Sequence, residues 1–229
     1  MDKIKPSFIL FDLDGTLIDS VPDLSFCVDE MMKQIGMPVR GEVLVRKWVG
    51  NGVQRLVERA LVGANQGMPG QDLMDRAYPI FLKLYKHNNA LHSCVYDGVV
   101  EGLKWILAQG YRIACVTNKP QAFTIPLLKR KGLYDYFECI VSGDTCAEKK
   151  PHPMPLLHAA KLMNVWPKNG LMVGDSRSDV QAARSAGFYI FCMTYGYNHG
   201  EDIRDYKPDV IMESFTEFVN YIEKKSRTH

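Results

Sequence analysis

Four consecutive apolar residues, Phe8, Ile9, Leu10 and Phe11, run straight into Asp12-Leu13-Asp14-Gly15-Thr16. A short run that is apolar on both faces reads as a buried parallel strand, and the acidic turn after it reads as the place where that strand ends in a site. Successive side chains of a strand point to opposite faces, so Asp12 and Asp14 lean toward one place while Leu13 turns away. Gly15 lets the backbone leave sharply, and Thr16 adds a hydroxyl beside the carboxylates. Two carboxylates about 4 Å apart repel by roughly 4 kcal/mol at an effective dielectric near 20, so such a pair needs a cation, a proton or a catalytic purpose.

The 229 residues are 46% hydrophobic, enough to bury a sizeable core. Lys and Arg number 28 against 26 Asp and Glu, a formal charge of +2, and no basic run offers a track for nucleic acid. Cys27, Cys94, Cys115, Cys139, Cys146 and Cys192 form no C-x-x-C pair, and several stand in apolar runs as small hydrophobes. That pattern suits a reducing cytoplasm. The first residues hold no continuous apolar signal core, and no stretch reaches the roughly 20 apolar residues of a membrane-spanning helix. A soluble cytoplasmic protein with neither membrane nor nucleic-acid partners is expected.

Leu24, Val28, Met31 and Ile35 recur at spacings of three and four and predict a helix that Gly36, Met37 and Pro38 close. Helical patterning covers residues 41–49, breaks at Gly50-Asn51-Gly52, and resumes with Val53, Leu56, Val57, Ala60 and Leu61. Residues 63–70 read as a loop and residues 71–88 as a further helix, with a break or kink expected at Pro79. From Tyr96 onward, helices alternate with short apolar runs at 112–117, 137–141, 171–173, 189–193 and 209–212. This texture predicts an α/β fold with a doubly wound, mostly parallel, Rossmann-like sheet built from residues 1–18 and 91–229. Residues 19–90 then form an inserted all-helical subdomain.

Ligands of an open α/β sheet bind beyond the carboxyl ends of its strands, so the residues at the end of each apolar run are the informative ones. Thr117-Asn118 closes one run, and Gly174-Asp175-Ser176 closes another, with Asp179 four residues after Asp175. Ahead of the latter, Lys149-Lys150-Pro151-His152-Pro153 sets amines beside a rigid turn. Taken singly, Thr117-Asn118-Lys119-Pro120 reads as a turn and helix cap, Asp179 as a first-turn acid favoured by the helix dipole, and the two lysines as solvated. Taken together, a hydroxyl–amide pair, an amine and four acids at one sheet edge meet the needs of phosphoryl transfer. One carboxylate can attack phosphorus, a second can pass a proton, Mg²⁺ takes a few carboxylates plus phosphate oxygens, and a lysine balances the remaining charge. The six histidines show no recognisable metal-ligand spacing.

In order along the chain, Asp12-Leu13-Asp14-Gly15-Thr16, Thr117-Asn118, Lys150-Pro151-His152-Pro153 and Gly174-Asp175-Ser176-Arg177-Ser178-Asp179 resemble the four motifs of haloacid dehalogenase superfamily phosphatases. The resemblance implies that Asp12 is the nucleophile and a Mg²⁺ ligand. Asp14 would give its backbone carbonyl to Mg²⁺ and its carboxyl as acid to the leaving group, then as base to water. Thr117, Asn118 and Lys150 would hold the phosphoryl group, Asp175 would bind Mg²⁺, and Asp179 would orient Lys150 or a metal-bound water, with Thr16 alongside. Residues 19–90 would be a lid that closes over a small phosphorylated metabolite and excludes water. Val49-Gly50-Asn51-Gly52-Val53 and Gly196-Tyr197 resemble the branch that acts on phosphoglycolate. A carboxylate-bearing substrate would then meet Gly50, Asn51 and Gly52 at a helix N-terminus, with Arg46 or Arg55 as candidate cationic contacts.

Two other readings use the same residues. A phosphomutase of the β-phosphoglucomutase type, or a phosphatase for sugar phosphates, nucleotides or pyrophosphate, would share the aspartyl phosphate. A non-catalytic phospho-acceptor module would need neither a lid nor Asp14. Thr16, where mutase-like sequences carry Val or Ile, favours hydrolysis, and Asp14 argues against dehalogenation.

Overall fold

The computed structural model describes residues 6–226. Residues 1–5, on which the reading of the N-terminus rests, and His229 lie outside the described residues. The chain opens with β1 (Phe8–Phe11) and β2 (Ile18–Asp19), then passes through α1 (Val21–Gln34), α2 (Glu42–Trp48), α3 (Val53–Val62) and α4 (Gln71–Asn88). It returns by β3 (Cys94–Val95) to α5 (Val99–Ala108), β4 (Arg112–Val116), α6 (Gln121–Arg130) and β5 (Cys139–Val141). The remaining elements are α7 (Met154–Leu162), β6 (Gly170–Gly174), α8 (Arg177–Ala186), β7 (Tyr189–Met193), β8 (Val210–Met212) and α9 (Phe215–Ser226).

Six strands form one parallel sheet in the order β5-β4-β1-β6-β7-β8, so β1 is a buried parallel strand as its apolar run predicts, with two strands on one side and three on the other. Its alternation divides the core between the two faces. Ile9 and Phe11 pack with Leu103 and Ile106 of α5, Leu127 of α6, and Phe215 and Phe218 of α9. Phe8 and Leu10 point the other way, to Leu156 and Ala160 of α7 and to Val180 and Ala183 of α8. Each such buried Leu, Ile or Phe contributes about 1.5–3 kcal/mol relative to exposure, which is why the doubly wound order is stable only with helices on both faces.

The helices α1–α4 enclose a separate apolar cluster that includes Leu24, Val28, Trp48, Leu56, Phe81 and Tyr85, with Phe123 and Tyr197 reaching in from the sheet side. The chain enters and leaves this helical cap through a feature the sequence did not announce, the antiparallel pairing of Ile18 with Val95 and of Asp19 with Cys94. Buried Asp23 at the start of α1 accepts from the N–H groups of Ala90, His92 and Ser93 at 2.9, 2.7 and 3.0 Å, and from the Ser93 hydroxyl. The outgoing and returning segments are thus tied together. Pro79 does not break α4, which runs on through it; Pro79 and Asp75 are both exposed, so water can reach the Asp75 carbonyl that the proline leaves without its helical donor. Among the described residues, no helix is long and apolar enough to cross a membrane.

Candidate active site

The polar residues gather where β1, β4 and β6 end. The Asp12 N–H extends β1 by one bond to the Val173 carbonyl, at 2.9 Å. Its Oδ1 accepts from the Leu13 N–H at 2.7 Å and pairs with Lys150 Nζ at 2.9 Å. Lys150 Nζ also lies 2.7 Å from Asp179 Oδ1 and donates to the Val116 carbonyl at 2.7 Å, so its three donors meet three acceptors. Burial by itself would discharge this ammonium, but Asp12 and Asp179 outweigh it and raise its pKa above that of a free lysine.

Asp179 serves two elements. Its Oδ2 accepts from the N–H groups of Asp175 and Ser176 at 3.2 and 3.0 Å and from Ser176 Oγ at 2.7 Å, the capping box that starts α8. Asp175 is held by Thr16 Oγ1 at 2.9 Å and by the Tyr197 N–H at 2.5 Å. Two glycines make room for it: a Cβ at Gly15, where φ is +87°, or at Gly196 would come within 2.2 Å of its side chain.

Asp12, Asp175 and Asp179 each bring one carboxylate oxygen within 4.8 Å of the others. Burial is the main reason that the Asp12 carboxyl is pushed up to about 7, against partial relief from Lys150. Burial and the neighbouring Asp179 and Asp12 also hold Asp175 well above the usual carboxylate range. Such a cluster concentrates more negative charge than one lysine balances, which is the condition a bound divalent cation relieves.

Asp14 has a different partner. Both its oxygens lie 3.0 Å from Lys119 Nζ, which in turn sits 5.1 Å from the ring centre of Tyr85 on α4. Thr117 follows β4, its N–H bonded to the Val141 carbonyl at 2.9 Å. The Asn118 carboxamide clamps the backbone of Lys150, accepting from its N–H at 3.0 Å and donating to its carbonyl at 2.9 Å. The same Nδ2 reaches the Gly50 carbonyl of the cap at 3.1 Å.

These groups meet at a cavity between sheet and cap. Asp12, Asp14, Thr117, Asn118 and Lys119 form its floor, and Leu24, Val49, Gly50, Gly52, Val53 and Leu56 its roof. Its volume is about 30 Å³, and the Asn118–Gly50 bond spans from its floor to its roof, so cap and core are in contact there. The other candidate residues of the cap stand elsewhere. Asn51 reaches Ser178 Oγ at 3.5 Å. Arg46 binds Asp19 and Glu42 at 3.1 and 2.7 Å and lies over the Tyr197 ring. Arg55 pairs with Glu58 at 2.8 Å and donates to the Gly67 and Asn65 carbonyls. Neither arginine lines the cavity.

One residue here, Lys119, reads in the sequence only as part of a turn, while Tyr197, to which the resemblance gave no stated role, bonds Asp19 through its hydroxyl and accepts there from the Ser20 N–H at 3.0 Å. Adjacency to Thr117-Asn118 was the available signal for Lys119.

Residues 9–193 match the family model described as haloacid dehalogenase-like hydrolase. The chain is 56% identical over 220 residues to the phosphoglycolate phosphatase of Nitrosococcus oceani, covering 96% of this chain and 98% of that one. It is 44% identical over 218 residues to the phosphoglycolate phosphatase of Nitrosospira multiformis, covering 95% and 96%. Among solved structures, a Haemophilus somnus protein described as a predicted phosphoglycolate phosphatase superposes with a TM-score of 0.88 at 36% identity, over 93% of this chain and 96% of that one. With a parallel sheet that gathers the motif residues at one edge beneath a helical cap, the chain belongs to the haloacid dehalogenase-like hydrolase family.

Proposed function

We propose that the protein is a Mg²⁺-dependent phosphatase that converts 2-phosphoglycolate to glycolate and phosphate through an aspartyl phosphate on Asp12. The names of the relatives at 56% and 44% identity support the substrate. The observation that carries the chemistry is that Asp12 and Asp14 line one cavity but are held by different lysines, Lys150 and Lys119. Two carboxylates in unlike environments can take unlike roles. Asp12, one oxygen fixed by Leu13 and Lys150, attacks phosphorus. Asp14 protonates the leaving oxygen and afterwards takes a proton from the water that releases phosphate. Because the Asn118 carboxamide is engaged with the Lys150 backbone, the phosphoryl oxygens fall to the Thr117 hydroxyl and the Asn118 N–H, and the Lys150 donor now on Asp12 turns to them as Asp12 becomes esterified.

The raised Asp12 and Asp175 carboxyls fit a divalent cation, and the carboxylates of Asp12 and Asp175 with the Asp14 carbonyl would hold Mg²⁺. When bound, the ion neutralises charge on the phosphoryl oxygens. Asp179 contributes by fixing Lys150. The cap, residues 19–90, closes over the substrate by swinging on the β2–β3 pair through which the chain enters and leaves it. Six unpaired thiols are in keeping with a cytoplasmic setting.

A substrate panel at saturating Mg²⁺ tests the reading, comparing kcat/KM for 2-phosphoglycolate, sugar phosphates, nucleoside monophosphates and pyrophosphate. Phosphoglycolate should lead by at least about tenfold. A sugar phosphate or nucleotide in first place would overturn the substrate, and sugar-phosphate isomerisation without phosphate release would overturn hydrolysis.

A further inference from the structure

We propose that Lys119, on the core side of the cavity, is the group that reads the carboxylate of the substrate, in place of any cation on the cap. The proposal rests on the phosphoglycolate reading and adds to it the residue that selects the acid. In phosphoglycolate one methylene separates the ester oxygen from the carboxyl carbon, so the carboxylate oxygens lie about 3 Å from the ester oxygen. The ester oxygen must itself come within about 3 Å of Asp14 to receive its proton. A cation that recognises the carboxylate therefore has to stand beside Asp14.

Lys119 Nζ does so, 3.0 Å from each Asp14 oxygen. Among the described residues that line the cavity it is the one cationic side chain. Its ammonium has three donors and Asp14 takes two, which leaves one to turn into the cavity, with the Tyr85 ring 5.1 Å away. The side chain is only 2% exposed, so a carboxylate arriving there meets a desolvated charge and a strong interaction. Arg46 and Arg55 are tied to Asp19, Glu42 and Glu58 away from the cavity; Lys149, whose ammonium would lie 3.5 Å from a Cβ on Gly52, stands at the rim but is exposed and does not line the cavity beside Asp14.

The test compares 2-phosphoglycolate with ethyl phosphate, which replaces the carboxylate by a methyl group and keeps a primary alkoxide as leaving group. Wild-type protein should prefer phosphoglycolate. Lys119→Met should lower kcat/KM for both substrates, because Asp14 loses its partner, but for phosphoglycolate by at least about tenfold more than for ethyl phosphate and chiefly through KM, so that the preference collapses. Lys119→Arg should keep part of the preference. Lys119→Gln, which can still donate to Asp14 but carries no charge, replaces the Met variant if melting curves show that Met disturbs the fold. Equal losses on both substrates, with the preference intact, would mean that Lys119 acts only through Asp14 and would overturn the assignment while leaving the substrate reading in place. Absence of any preference in wild-type protein would overturn the substrate reading, and the assignment with it.

Discussion

Asp12→Asn should abolish turnover and yet stabilise the metal-free protein above neutral pH. The amide preserves size and its oxygen can still accept from Leu13 and Lys150, now 2.7 and 2.9 Å from Asp12 Oδ1, while Lys150 retains Asp179. What the substitution removes is a buried negative charge. Burial pushes the Asp12 carboxyl up to about 7 from its ordinary 3.8, so the folded state holds a proton that the unfolded chain has already released. Ionisation of Asp12 therefore costs no stability below about pH 4, an increasing amount as pH rises from about 4 to 7, and a constant amount above that. At about 1.36 kcal/mol per tenfold change in proton affinity, the full cost is about 4 kcal/mol. Asparagine, neutral throughout, escapes it. For a chain of this length, 2–4 kcal/mol corresponds to about 5–10 °C in Tm. Thermal melts in EDTA from pH 4.5 to 8.5 should show wild type and variant converging at the acid end and the variant melting higher at the alkaline end. Saturating Mg²⁺ should narrow or reverse the gap. A variant less stable than wild type at pH 8, or a gap independent of pH, would refute the account of Asp12 as a charge balanced only with metal.

Activity should disappear with EDTA and return with Mg²⁺, with Ca²⁺ restoring it poorly because its looser coordination misplaces the phosphoryl group; at a hundredfold excess over Kd, Mg²⁺ should add about 2.7 kcal/mol of stability, read as a rise in Tm. Gly52→Val should lower phosphoglycolate kcat/KM more than that for p-nitrophenyl phosphate, since φ is +87° there and a Cβ would come 3.3 Å from the Asn118 carbonyl oxygen, wedging the cap off the core; unchanged kinetics would show that this contact does not govern closure. His199, whose Nδ1 lies 3.2 Å from the Lys47 carbonyl, is held down to about 4 by burial and by Arg59. The unfolded chain therefore takes up its proton first, and the stability that the neutral ring contributes is intact above about pH 6.5 and is lost as pH falls toward 4. Relative to wild type, His199→Gln should remove up to about 3 kcal/mol of that acid-side slope in urea titrations, and parallel pH profiles would refute it.

The sequence by itself determined the plan of the sheet and the identity of its chemistry. Phe8 to Phe11 are apolar on both faces, as a parallel strand covered on both sides requires, so the buried strand could be read from four residues, and its place at the centre of the sheet came from the fold. The ends of β1, β4 and β6 then converge because parallel strands all point their carboxyl ends the same way, which brings Asp12, Asp14, Thr117 and Asp175 to one edge from three well-separated segments of the chain. The helices of the cap were legible for the same local reason, a repeat close to 3.6 residues.

Charge placement was decided only by tertiary structure. A lysine's sequence neighbours do not say whether its ammonium is solvated or buried. Lys150 becomes a three-acceptor hub because α8 presents Asp179, and Lys119 becomes a cavity residue because Tyr85 arrives over it from the cap. Arg46 and Arg55 sit in the expected segment, but Asp19 and Glu58 draw them away from the cavity. The β2–β3 pair escaped notice because two-residue strands carry no periodicity, and their pairing exists only once α1–α4 have packed and returned the chain to its starting point. Periodicity is a local property of the chain; desolvation and ion pairing belong to whichever distant segments come to lie against a side chain.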